Sequence, residues 1–235
     1  MTKEEVFQEL EEYGNAQTKK VLTRHGAREP FFGVKVQDLK KIVKKVKKNH
    51  ELSLELYESG NSDAMYLAGL IADETRISKE DLNRWARQAY WYMLSDYAVA
   101  AVASESPHGQ ELGLEWIDSD HEMTASAGWA TLSGMVAIKP NEELDLQLID
   151  SLLDRVEKEI HQAPNRTRYT INGFVIAVGS YIPSLTEKAM QVAQTIGKVD
   201  VKMGKTSCKV PFAPDYIQKI VDKGRLGKKR KVARC

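Results

Sequence analysis

The chain has 235 residues, 42% hydrophobic and 29% charged, enough apolar matter for a sizeable core, and none of its apolar runs reaches the ~18 residues that a bilayer span requires. The net charge of +1 conceals a segregation: residues 223–235, KGRLGKKRKVARC, hold seven of the 34 Lys and Arg and no acid, leaving 27 bases against 33 acids elsewhere. Two cysteines, Cys208 and Cys235, make no disulfide framework, and the N-terminus MTKEEVFQEL has charges where a secretory signal would be apolar, so a soluble, cytoplasmic monomer is expected.

Read in chain order, the pattern is helical almost throughout. After a first break at Gly14, the segment KVQDLKKIVKKVKK (35–48) puts Leu39, Ile42, Val43 and Val46 on one face and lysines on the other, Lys44 and Lys48 among them. A solvated helix face accounts for this spacing, yet a second basic tract in an otherwise acidic body also suits a polyanion approaching from one side. Gly60 marks another break, and Ser78 opens SKED like a capping box. Residues 89–98, AYWYMLSDYA, place Tyr92 and Asp96 four apart on one helical face, either as buried packing or as an acid working beside a ring. Pro107, Gly109 and Pro140 punctuate the next stretch, and Leu148, Leu152, Leu153 and Val156 form a further stripe. The segment PNRTRYTINGFVIAVGSY (164–181) reads as a helix opened by Pro164, with Arg166 and Arg168 in its first turn. The helix dipole disfavours cations there unless anions face them.

About a dozen helices joined by short loops result, and from about residue 35 to 195 they follow one another as pairs of roughly 35–45 residues. That period belongs to all-α solenoids of the HEAT type, in which each pair buries its apolar face on the next and a concave surface is left; a globular bundle is the other arrangement open to it. One helical-repeat domain, 1–222, and a basic tail, 223–235, are expected, the tail having little to bury.

The segment GKVDVKMGKTSCKV (197–210) departs from the helical period. Val199, Val201 and Met203 alternate with Lys198, Asp200 and Lys202, so it fits either a short β-hairpin turning at Gly204-Lys205, with Lys198, Lys202, Lys205 and Lys209 along it, or an extended linker. Its GKTS lacks the glycine five positions earlier that a phosphate-binding loop needs, Val199 standing there, and Pro211 and Pro214 follow instead of a helix. The five histidines show no i, i+4 pairing and neither cysteine has a partner at ligand spacing, so no metal or other cofactor is expected.

In this order, FFGVKVQDLKKIVKK, YESGNSDAMYLAGLIAD, the aromatic and acidic helix around Asp96, and RYTINGFVIAVGSY resemble the DNA alkylation repair family, the HEAT-like repeat DNA glycosylases, over about residues 5–195. The resemblance implies a solenoid whose basic concave face holds DNA and excises N-alkylated purines without a metal. In active members two tryptophans, an aspartate and an arginine gather at the sugar of the damaged nucleotide. The aspartate falls on Asp96 as the catalytic residue. One tryptophan falls on Tyr92, with Trp91 just before it, and the other on Phe174, whose alternative is core packing. The arginine falls on Ala177, and that cation is missing. His25 is assigned with the aromatics to the substrate-facing set, and Arg166, Arg168, Lys44, Lys48, Lys198, Lys202, Lys205 and Lys209 to the DNA backbone. Because an alkylated purine is already a cationic leaving group, a carboxylate need only stabilise the sugar cation that develops. Three functions stay open: an alkylpurine glycosylase, a non-catalytic relative that binds branched or distorted DNA, and a protein-interaction scaffold whose concave face would not be basic.

Overall fold

The computed structural model describes residues 1–204 and 206–234. Among them the chain folds into thirteen α-helices and no strand. The N-terminal part comprises α1 (Lys3–Glu12), α2 (Ala16–Arg24), α3 (Val36–Val46), α4 (His50–Glu58), α5 (Ser62–Ile71) and α6 (Lys79–Gln88). A π-helical segment, Met93–Val99, then runs into α7 (Ala100–Glu105), followed by α8 (Gly109–Ile117), α9 (Glu122–Ile138) and α10 (Leu146–Glu159). The chain ends with α11 (Asn165–Tyr181), α12 (Thr186–Ile196) and α13 (Ala213–Asp222).

Helices α5, π-α7, α9 and α11 pack on one another in succession as an inner row, and α4, α6, α8 and α10 back them from outside. This is the solenoid of helix pairs expected from the period. The inner helices need two apolar faces, one for each neighbour, which is why α9 reads EMTASAGWATLSGMVAI with small and apolar residues all round. Close approach depends on that composition: a Cβ on Gly128 of α9 would stand 2.7 Å from the backbone N of Ile117 and 2.9 Å from the Gly113 carbonyl.

Two apolar clusters result, one in each half of the solenoid. In the first, Tyr57 stacks on Trp85 with centroids 4.2 Å apart. In the second, Phe174 meets Trp129 edge to face at 5.2 Å and is fully buried, which makes it core packing and not the substrate wall that the resemblance implies. The FFGV loop is held by Asp63 at the start of α5, whose carboxylate accepts the N–H groups of Phe32, Gly33 and Val34 at 2.7, 2.9 and 3.1 Å. Burial pushes the Asp63 carboxyl above the usual range, and those three bonds hold it down.

The alternation in 197–210 is present, since Val199 and Val201 are buried while Lys198, Asp200 and Lys202 are exposed, but it makes no hairpin among the described residues. The backbone of Lys202 is held by a side chain instead of a second strand: Asn165 Oδ1 accepts its N–H at 2.7 Å and Asn165 Nδ2 donates to its carbonyl at 3.1 Å. Asn172 Nδ2 donates to the Pro211 carbonyl, so two asparagines of α11 fasten an extended strap. Lys205 lies outside the described residues.

The tail also differs from expectation. It turns back at Gly224 and crosses the C-terminal ends of the inner helices: Gly227 N–H donates to the Ser180 carbonyl, Lys229 Nζ to that of Val136, and Arg230 N–H to that of Ala137. Ala233 N–H then reaches Glu105 Oε1 at 2.7 Å. Arg234 ends the described tail, pairing with Glu105 at 2.9 Å and Glu74 at 2.7 Å and donating to the Ala72 carbonyl, its side chain only 10% exposed. Helix C-termini carry unsatisfied carbonyls and partial negative charge, so a basic segment is stabilised there. Its function in the fold therefore rests on polar capping, which a count of apolar residues does not register. Deleting residues 224–235 is expected to lower the melting temperature by about 5 °C or more, because Glu74 and Glu105 lose their buried cation. An unchanged melting curve would show the tail to be dispensable for the fold.

Candidate nucleic-acid interface

Asp96 sits in the π-helical turn, where the N–H of Ala100 bonds to the carbonyl of Ser95, five residues back. Its carboxylate is fully engaged. Oδ1 accepts hydrogen bonds from the hydroxyls of Ser95 and Ser126, both at 2.7 Å, and Oδ2 receives Arg166 Nε at 2.8 Å and a terminal guanidinium nitrogen at 2.7 Å. The Asp96 side chain is 5% exposed and that of Arg166 10%. The guanidinium is clamped between the rings of Tyr92 and Tyr169, 4.2 and 4.1 Å from their centroids.

This arrangement explains a cation in the first turn of α11. Asp96 faces the guanidinium, and Glu122 accepts the backbone N–H of Arg166, so carboxylates offset the positive end of the dipole. The Tyr92 hydroxyl lies 2.9 Å from His25 Nδ1 and the two share a hydrogen bond, while burial pushes the Tyr92 phenol up. Asp96, Tyr92 and His25, expected at the damaged nucleotide, are thus brought together, and Arg166, expected on the DNA backbone, joins them. Trp91, by contrast, is 5% exposed and donates to Ser62 Oγ at 3.0 Å, so it belongs to the core and offers no wall. Ala177 lies along the same helix with no cation, and Arg166 is the arginine nearest the acid.

Arg166 borders two concavities. On one side is a groove of about 320 Å³ between π-α7, α9 and α11, lined by Tyr97, Tyr169, Gly173 and small residues and crossed at its far end by Arg230 and Ala233 of the tail. On the other is a polar cleft of about 500 Å³ bounded by Arg24, His25, Arg28, Tyr90, Tyr92, Glu122 and Lys202. Arg24, Arg28 and Lys202 are exposed there and Arg28 rests on the Tyr90 ring at 5.3 Å, so this cleft presents mainly cations. Among the described residues no three His, Cys, Asp or Glu side chains gather to hold a metal ion, and no helix is long and apolar enough to cross a membrane.

The remaining basic residues do not form one surface. Lys198, Lys202 and Lys209 are exposed on the strap, and Arg168 is half-buried with its Nε sheltered. Lys44 is on the outward face of α3, and Lys48 pairs with Glu74 in the network that holds Arg234. The sequence reading missed Tyr97 and Tyr169. Tyr169 is three residues beyond Arg166 and so shares its face, and Tyr97 adjoins Asp96; both spacings were legible.

These features define a HEAT-like helical-repeat protein with a polar site where the inner helices begin. The chain belongs to the DNA alkylation repair enzyme family, whose pattern it matches over residues 6–213. It is similar over its whole length to a solved structure described as a new family of proteins related to the HEAT-like repeat DNA glycosylases with affinity for branched DNA structures, at a TM-score of 0.92 and 42% identity, with 100% of each chain covered. Uncharacterized proteins Lin0241 of Listeria innocua and Lmo0209 of Listeria monocytogenes are each 37% identical over 225 residues, covering 93% of this chain and 97% of theirs.

Replacing Tyr92 and Tyr169 together by Leu keeps apolar bulk but removes both rings from the guanidinium. A desolvated cation–π contact contributes up to ~2 kcal/mol, so a stability loss of roughly 2 kcal/mol or more is expected in urea unfolding. A midpoint equal to wild type would mean that the rings do not hold Arg166.

Proposed function

We propose that the protein is a DNA-binding member of the family that recognises branched or distorted DNA and does not excise bases. The observation that carries this reading is the closed ion pair. Both oxygens of Asp96 are taken up by Arg166 and two hydroxyls and its side chain is 5% exposed, so a sugar could reach the carboxylate only by displacing one of these donors. Both implied aromatic walls are weakened as well, because Phe174 and Trp91 are buried and Tyr92 is spent on the guanidinium. These departures leave DNA contact intact.

The affinity for branched DNA of the 42% identical neighbour supports this choice of ligand. So does the cleft of Arg24, Arg28 and Lys202, which a protein-interaction scaffold would not require. On this reading the protein acts as a monomer in the cytoplasm, the cleft and the lysines of the strap meet phosphates, and the two concavities accommodate the bend between arms.

Competition gel shifts with a three-way junction and a duplex of equal length test the reading, combined with a base-release assay on methylated duplex. The junction should bind at least tenfold tighter, with no release above background, and log K should fall with log salt at about −0.9 per phosphate contacted. Equal affinity for both DNAs, or release of methylpurine that Asp96→Asn abolishes, would contradict it.

A further inference from the structure

Gly173 lies in the interior of α11, where glycine is a poorer helix former than any ordinary residue except proline. The other glycines inside helices have a packing reason. A Cβ would come within 3 Å of a neighbour at Gly69, Gly113, Gly128, Gly134 and Gly179, whereas at Gly173 it would meet no atom of the described residues within 4 Å. Among the described residues nothing packs into the space of the missing side chain. What its absence does is keep open the groove between π-α7, α9 and α11.

Two aromatic rings line that groove on the side of the Asp96–Arg166 pair. Tyr169 is one turn before Gly173 on α11 and covers the guanidinium. Tyr97 is 39% exposed, and the other large apolar side chains exposed to this degree lie at Met1, on α2 and α13 or in the tail, where they are not part of the groove lining. Most of the remaining wall is made of small residues such as Ala101, Ser133 and Ala177, with Ile176, Tyr181 and Arg230 also on the lining. The acid at its edge is neutralised by Arg166, so no uncompensated negative charge of Asp96 opposes a nucleotide.

We propose that this groove receives one unpaired nucleobase from the branch point of DNA, stacked against the Tyr97 ring and admitted by the bare backbone at Gly173. The proposal rests on the branched-DNA reading and names the feature of the junction that is recognised. A volume of about 320 Å³ lies at the lower end of small-ligand sites, enough to receive one base. Stacking on a tyrosine is tolerant of sequence, as recognition of a junction by its shape requires, since every base offers a π-face. Desolvation pushes the Tyr97 phenol up to about 12, so the ring stays neutral at physiological pH and its hydroxyl remains a hydrogen-bond donor.

The test uses three-way junctions with and without a single unpaired 2-aminopurine at the branch, and the wild type, Tyr97→Ala and Gly173→Leu proteins. Wild type should quench the 2-aminopurine on binding and prefer the junction that carries it. Tyr97→Ala removes the stacking surface, and Gly173→Leu fills the groove from the opposite approach. In each variant the preference should fall about fivefold or more, with quenching lost. Gly173→Leu adds a better helix former in open space, so its melting temperature should equal or exceed that of wild type, and a loss of preference there cannot be ascribed to unfolding. A wild type that binds junctions tightly but leaves the probe unquenched, or variants with undiminished preference, would overturn the base site alone. A wild type that binds junction no better than duplex would overturn the branched-DNA reading and the base site with it.

Discussion

The pair between Asp96 and Arg166 is the contact on which the site depends. It joins the π-helical turn to the first turn of α11 across 70 residues of sequence, and Ser126 of α9 completes it, so three successive inner helices meet at one carboxylate. A buried ion pair is seldom a large net source of stability, because both charges must be taken out of water. Here the desolvation is offset by two hydroxyl donors and two tyrosine rings, and removing either charge would leave the other stranded. The same closure bears on the electrostatics: the carboxylate keeps its charge, and the adjacent guanidinium weakens the field it presents to any further cation.

Charge segregation in the sequence acquires a second meaning in the fold. A basic tail on an acidic body suggests an external polyanion, yet much of this tail lies against the protein's own negative surface, the carbonyl ends of α11 and α9 together with Glu105 and Glu74. The cations are thereby divided. Those of the tail and Lys48 brace the C-terminal rim of the inner row, and Arg24, Arg28 and Lys202 stand at the opposite rim, where α9 and α11 begin. On the proposed reading the second group and the exposed Lys198 and Lys209 meet DNA, and the first keeps the curvature of the row against which DNA would bend.

Much of the fold was legible because helix pairs announce themselves by period. The stripe Leu39, Ile42, Val43 and Val46 and the break residues needed only local chemistry, and the family resemblance ordered them. The site was legible only in part: Asp96, Tyr92 and His25 do converge, but the sequence reading places Arg166 on the DNA backbone, and whether an acid is open or paired depends on a contact 70 residues away, which spacing cannot reveal. Phe174 lies on the same helix as Arg166 yet turns to Trp129, because α11 is buried on nearly every face and its apolar pattern does not distinguish groove from core. The hairpin failed for a similar reason. Alternation in 198–203 reports one buried side of an extended chain, and its backbone partner turned out to be Asn165. The tail was misjudged because polar capping of helix ends leaves no hydrophobic signature.

The central claim is that Asp96 and Arg166 act as one closed unit, and a double-mutant cycle on Asp96→Asn and Arg166→Gln measured by urea unfolding tests it most directly. If the pair is closed, each single change strands a buried partner, and the double variant should recover part of the loss, with a coupling of about 2–3 kcal/mol. Losses that add to within about 0.5 kcal/mol would show that the two side chains act independently, and the carboxylate would then be free for other work.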